Sequence, residues 1–137
     1  MQHLLADGLA GNLPLLRDGP ALCAFLGRLV KLLEMEVMGG PLVVEATPFG
    51  PMSGITATLI ISESHITIHT WPERRDFNFN FDAFSCRPFN VQTVLDFLVR
   101  ELRMKRYAYR VLARPLPLDT TPAAPQPPPP RPRPPGP

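Results

Sequence analysis

Phe77-Asn78-Phe79-Asn80-Phe81-Asp82-Ala83 alternates apolar with polar residues along its whole length. Successive side chains of a strand point to opposite faces, so the pattern buries one face and leaves the other polar. Such a strand belongs to a sheet covered on one side. Asn78, Asn80 and Asp82 are expected on the open side, and Phe84 and Cys86 share their parity. An aromatic ring and a thiol among amides suit a ligand or subunit surface better than plain solvent.

Working outward, Ile66-Thr67-Ile68-His69 repeats the alternation. Residues 55–61 and 42–47 are further β-rich runs, parted by the turn-like Pro48-Phe49-Gly50-Pro51. Upstream, Asp18-Gly19-Pro20 opens a helix with proline near its first position. Leu22, Phe25, Leu26, Leu29, Val30 and Leu33 follow at helical spacing, and Gly39-Gly40 is the expected stop. Cys23, on this apolar helix, reads as a core residue. Downstream, Asn90 caps a second helix with the stripe Val91, Val94, Leu95, Leu98 and Leu102. Residues 107–112 form a last strand. The expected fold class is α+β: a two-layer sandwich of an antiparallel sheet with two helices on one face.

A chain of 137 residues, 45% hydrophobic and 19% charged, supports one folded domain, placed at residues 1–114. From 115 to 137, 12 of 23 residues are proline, which predicts a solvated polyproline II tail. Arg131, Pro134 and Pro137 match the spacing of an SH3-type ligand, but a passive tail is the plainer reading. A net charge of +2 gives no nucleic-acid footprint. Arg103, Lys105, Arg106 and Arg110 read as a solvated face where a helix ends, a place that suits cations. No apolar run is long enough for a membrane span, and the first residues lack a charged signal region. Cys23 and Cys86 imply no disulfide framework, so a reducing cytoplasm is the expected location.

The chemistry concentrates in Ser62-Glu63-Ser64-His65-Ile66-Thr67-Ile68-His69-Thr70-Trp71-Pro72-Glu73. His65 and His69 would share a zinc ion on a helix, but on a strand they stand roughly 13 Å apart. A serine hydrolase would need a nucleophile elbow, and no GxSxG occurs. A Cys86–His69 nucleophile pair stays open on residue types alone.

As strings, several segments resemble the bacterial and archaeal S-adenosylmethionine decarboxylase proenzymes. Gln2-His3-Leu4-Leu5-Ala6-Asp7 is similar to the family's opening strand, and residues 54–65 to its cleavage-site strand. Ile68-His69-Thr70-Trp71-Pro72-Glu73 is similar to its most specific string, and Phe84-Ser85-Cys86 to its Phe-Thr-Cys. The resemblance covers nearly all of residues 2–112. It departs at Thr56, where serine is usual, at Arg87, where glycine is common, and at Arg74-Arg75-Asp76-Phe77, which replaces a Tyr-Gly-Tyr-like segment.

The resemblance implies self-cleavage between Glu63 and Ser64 and conversion of Ser64 to a pyruvoyl group, which forms a Schiff base with the substrate amine. It gives His69, supported by Thr56, to processing and Cys86 to protonation of the product carbon. Strand parity puts Ser64 opposite His69, so one shared site demands a bend near Ser64. Glu73, Trp71 and Phe84 are the implied substrate contacts, with Phe49 and Phe77 as further aromatic shelves. Arg74 and Arg75 are poor neighbours for a sulfonium, though as adjacent strand residues only one would face inward. The implied assembly is an αββα homodimer with active sites at the interface, without metal, nucleic acid or membrane. The implied reaction yields decarboxylated S-adenosylmethionine, the aminopropyl donor for spermidine. Alternatives are a pyruvoyl-dependent L-ornithine or L-arginine decarboxylase and a catalytically silent binding module.

Overall fold

A computed structural model describes residues 1–46 and 53–117. The Pro48-Phe49-Gly50-Pro51 turn, the Phe49 shelf and most of the proline-rich tail lie outside the described residues. The elements in chain order are β1 (Gln2–Ala10), α1 (Leu13–Leu16), α2 (Gly19–Leu32), β2 (Val37–Ala46), β3 (Gly54–Ile61), β4 (Ser64–Thr70), β5 (Phe79–Ser85), α3 (Val91–Leu102) and β6 (Met104–Ala113). The six strands form one antiparallel sheet in the order β2-β3-β4-β5-β1-β6. The α+β architecture is the expected one, with the first strand inserted beside β5.

Burial follows the sequence patterns. Ile55, Ala57, Leu59, Ile61, Ile66, Ile68, Phe79, Phe81 and Ala83 form the covered face of β3 to β5, joined by Leu4, Ala6 and Ala10 of β1. Leu22, Phe25, Leu26 and Leu29 of α2 and Val94, Phe97, Leu98 and Leu102 of α3 close over them. The rings of Phe25 and Phe97 meet at 5.1 Å and join the helices. Phe25, Phe79 and Phe81 are fully buried, and each such ring contributes roughly 1.5–3 kcal/mol of transfer free energy. Asp18 accepts from the Ala21 amide at 2.9 Å and Asn90 from the Thr93 amide at 3.0 Å, so both helices begin at their expected caps. At the start of β3, a Cβ on Gly54 would meet the Thr70 carbonyl oxygen at 1.7 Å, so only glycine fits.

Three local expectations are corrected. The first helix stops at Leu32, where Leu33 caps it and Glu34 takes a positive φ of 55°. Gly39 and Gly40 lie inside β2 instead. Asn78 is not on the open face: it precedes β5, is 1% exposed, and its amide bonds both the N–H and the C=O of Ala10. The need to satisfy the end of β1 outweighs strand parity there. Phe77, Arg74 and Arg75 belong to the β4–β5 connection and not to a strand.

Candidate active site

The uncovered face of the sheet is ordered by cross-strand register into rows. Val44, Thr56, His69, Asn80, Asp7 and Ala108 make one row, and Ile60, His65, Phe84, His3 and Leu112 another. Thr58, Thr67, Asp82 and Leu5 lie between them. Two clusters of chemistry stand at opposite ends of β4.

At the first end, Ser62 and Glu63 form the two-residue turn between β3 and β4, with Ile61 paired to Ser64. Short hairpins favour turns with positive φ in the loop itself. Here neither Ser62 nor Glu63 has one; Ser64 does, at φ 147°. A non-glycine residue in that region is strained, so the bend demanded by parity falls on Ser64. Ser62 Oγ and Arg87, the latter at 3.0 Å, both bind the Glu63 carboxylate. Arg87 also donates to the Glu34 carbonyl at 3.3 Å, so the residue replacing the usual glycine clamps the turn.

The Cys86 backbone N–H donates to the Glu63 carbonyl oxygen at 2.9 Å. That is the carbonyl a Ser64 hydroxyl would attack, and a donor on it stabilises a developing oxyanion. Ser64 pairs with Ser85, so register brings Cys86 to the turn, with its side chain exposed. Ser64 Oγ lies 3.3 Å from His65 Nδ1, and His65 Nε2 lies 3.1 Å from Asp82 Oδ1. Phe84 packs between His65 and His3, at 5.9 and 5.3 Å, with Arg114 over its ring at 5.3 Å. His65, Asp82, His3, Arg87 and Arg114 were not singled out by sequence as working parts of this end. Their signal was the shared parity of His65, Asp82 and Phe84, readable only once β4 is known to pair with β5.

At the other end, Thr56 Oγ1 hydrogen-bonds His69 Nδ1 at 2.8 Å. The His69 ring stacks on Trp71, centroids 6.1 Å apart, and Trp71 meets Phe77 edge-on at 5.6 Å. Arg74 lies 4.0 Å over the Phe77 ring and is salt-bridged to Asp76, which holds the Asp76 carboxyl down at about 2. Arg75 is exposed. Glu73 is bound by Arg17 at 2.7 Å. An open cleft of about 410 Å³ runs beside the His69 row, bordered by Asp7, Asn80, Asp76, Phe77 and Tyr107. Cys23 lies away on α2, partly buried, where desolvation pushes its thiol pKa up.

Ser64 and His69 are five residues apart on one strand, about 16 Å at strand rise. The bend at Ser64 does not bring them together. One chain unites Glu63, Ser64, Cys86 and Phe84, and separately Thr56, His69 and Trp71, while Glu73 pairs with Arg17.

Residues 2–115 match the family model described as S-adenosylmethionine decarboxylase. This chain belongs to that family. It is 31% identical over 113 residues to the S-adenosylmethionine decarboxylase proenzyme of Clostridium botulinum, covering 82% of this chain and 91% of that one. It is 32% identical over 106 residues to the proenzyme of Pyrobaculum aerophilum, covering 77% and 80%. In fold it is similar to the crystal structure of the adenosylmethionine decarboxylase from Aquifex aeolicus, with a TM-score of 0.67 at 22% identity, over 86% of this chain and 92% of that one. Among the described residues, no helix is long and apolar enough to cross a membrane.

Proposed function

We propose that this chain is the precursor of a pyruvoyl-dependent S-adenosylmethionine decarboxylase that cuts itself between Glu63 and Ser64. The observation that carries the reading is the Glu63–Ser64 turn itself. The positive φ sits on the residue whose peptide bond would break, and an amide donor already rests on the carbonyl to be attacked. Backbone strain at Ser64 lowers the cost of exchanging the amide beside it for an ester. The residues fit a pyruvoyl group derived from Ser64, which supplies an electron sink for decarboxylation of a bound amino acid.

The remaining roles belong to side chains of the chain. Cys86, exposed beside residue 64, gives a proton to the product carbon as a general acid. Glu73 keeps acceptor capacity beyond its Arg17 contact for the ribose hydroxyls, and Trp71, Phe77 and Phe84 offer apolar shelves for the base. The Arg74 charge, paired with Asp76 and stacked on Phe77, opposes a sulfonium less than a bare cation would. The product supplies aminopropyl groups for spermidine synthesis, in the cytoplasm.

The separation along β4 gives the proposed assembly its form. Leu42, Val44 and Ile60, each at least half exposed, put apolar surface on the open face. Two such faces stacked about a twofold axis running across the strands form an αββα homodimer. Each Ser64–Cys86 end then faces the partner subunit's His69, with the partner's Thr56 and the partner's Glu73. The partner's His69, held by its threonine, supports processing at residue 64. Carbon dioxide release, measured separately with S-adenosylmethionine, ornithine and arginine, tests the substrate. Turnover of S-adenosylmethionine is expected; turnover of ornithine or arginine alone would contradict it.

A further inference from the structure

The proposed self-cleavage needs a base that takes the Ser64 hydroxyl proton as its oxygen attacks the Glu63 carbonyl. His69, about 16 Å away along the strand, is not in reach of that hydroxyl within one chain. His65 is: its Nδ1 lies 3.3 Å from Ser64 Oγ. The Asp82 carboxylate sits 3.1 Å from His65 Nε2. An ionised carboxylate only accepts, so the Nε2 position carries the hydrogen and Nδ1 presents its lone pair to the serine.

Asp82 has a second imidazole beside it. His3 Nε2 lies 3.6 Å from the same Oδ1, too far for a hydrogen bond, and Arg114 donates to His3 Nδ1 at 3.4 Å, which leaves the His3 hydrogen on Nε2. Phe84 packs between the two imidazoles and fixes their spacing. A hydroxyl, an imidazole and a carboxylate are thus lined up on one protomer, with the Cys86 N–H on the carbonyl under attack.

We propose that His65 is the general base of precursor cleavage and Asp82 its positioning residue, a proposal that rests on the self-processing reading above. The Ser64 Oγ–H proton passes to His65 Nδ1 as the Oγ–C bond to Glu63 forms. When the Glu63 C–N bond breaks, the imidazolium returns that proton to the departing Ser64 nitrogen. The step is an isomerisation of amide to ester, so protons and electrons balance without a co-reactant. His65 thereby serves the shift, and the partner's His69 is left for later steps.

The test follows conversion of full-length chain into its two fragments by intact-mass spectrometry after cell-free synthesis. Wild type, His65→Ala, His65→Gln, Asp82→Asn and Asp82→Glu are compared, with folding checked by thermal unfolding. A general base contributes on the order of 10²–10⁴-fold, so both His65 variants should slow cleavage by about 10²-fold or more. Added imidazole should restore part of the His65→Ala rate, and Asp82→Glu should cleave faster than Asp82→Asn. If His65→Ala does not fold, His65→Gln decides the rate comparison. Cleavage of either folded His65 variant at the wild-type rate overturns the proposal. So does a loss in folded His65→Ala that imidazole leaves untouched, which would make His65 structural. Failure of wild type to cleave at 63/64 would instead remove the self-processing reading on which the proposal stands.

Discussion

The two ends of β4 differ in what they hold and how they hold it. At the Ser64 end, strain, a backbone donor and the His65–Asp82 pair converge on one peptide bond. At the His69 end, an imidazole is held by Thr56 and stacked in aromatic company beside an open cleft, about 16 Å along the strand from Ser64. On the proposed reading, the first end changes the chain and the second serves the partner subunit's site. The difference teaches that a site read as one string of sequence can be two half-sites in space. A strand keeps residues of one motif apart as firmly as a helix brings them together.

The largest expected effect comes from exchanging the two ends between chains. Cys86→Ala alone should cleave but lose on the order of 10²–10⁴-fold in decarboxylation, as loss of a general acid does. His69→Ala alone should stall processing after the amide-to-ester shift. Co-expressed, the two give mixed dimers in which one site has both residues intact. Random pairing then restores about a quarter of wild-type turnover. Activity no greater than that of the two variants assayed separately would place both residues in a site within one chain.

A smaller effect separates the ends by stability. Asn78 satisfies both backbone groups of Ala10 at the His69 end. Asn78→Ala should cost about 1–3 kcal/mol in urea unfolding, because two buried backbone groups lose their partner. The rate of cleavage at Ser64 should stay at the wild-type value. A cleavage rate that falls in step with stability would show that the ends are not independent.

The smallest effect is electrostatic and confined to the β4–β5 connection. The Arg74 side chain, hydrogen-bonded to Asp76, lowers that carboxyl to about 2. Arg74→Ala should return the Asp76 titration, followed by NMR, toward its ordinary value of 3.8. An Asp76 carboxyl with its pKa depressed by folding contributes stability above its ordinary value, lost as pH falls toward about 2. The variant should lack that acid-side loss, while titrations at the Ser64 end stay unchanged.

Much of this architecture was legible in the chain because β4 and β5 alternate and both long helices start at Asx caps. The helix end was not, because Glu34 takes the left-handed conformation that a reader looks for at glycine. Asn78 was misplaced because parity cannot say where a strand begins. The seat of β1 between β5 and β6 depends on contacts far apart in sequence. Of the candidate site, Ser64, Cys86, Thr56 and His69 stand out as strings, but the expected bend at Ser64 does not bring His69 to it, and only the β3–β4 register shows their separation. His65 and Asp82 do not stand out, since seventeen residues part them and only the β4–β5 register joins them.

The central claim is that Glu63–Ser64 is a bond this chain breaks by itself. Intact-mass spectrometry of the purified protein tests it most directly, with Ser64→Ala as the control that lacks the nucleophile. The account predicts a chain of residues 1–63 and a second beginning with a pyruvoyl-blocked residue 64, and an uncut Ser64→Ala precursor. A single uncut wild-type mass after prolonged incubation, or a free amine at residue 64, would contradict it.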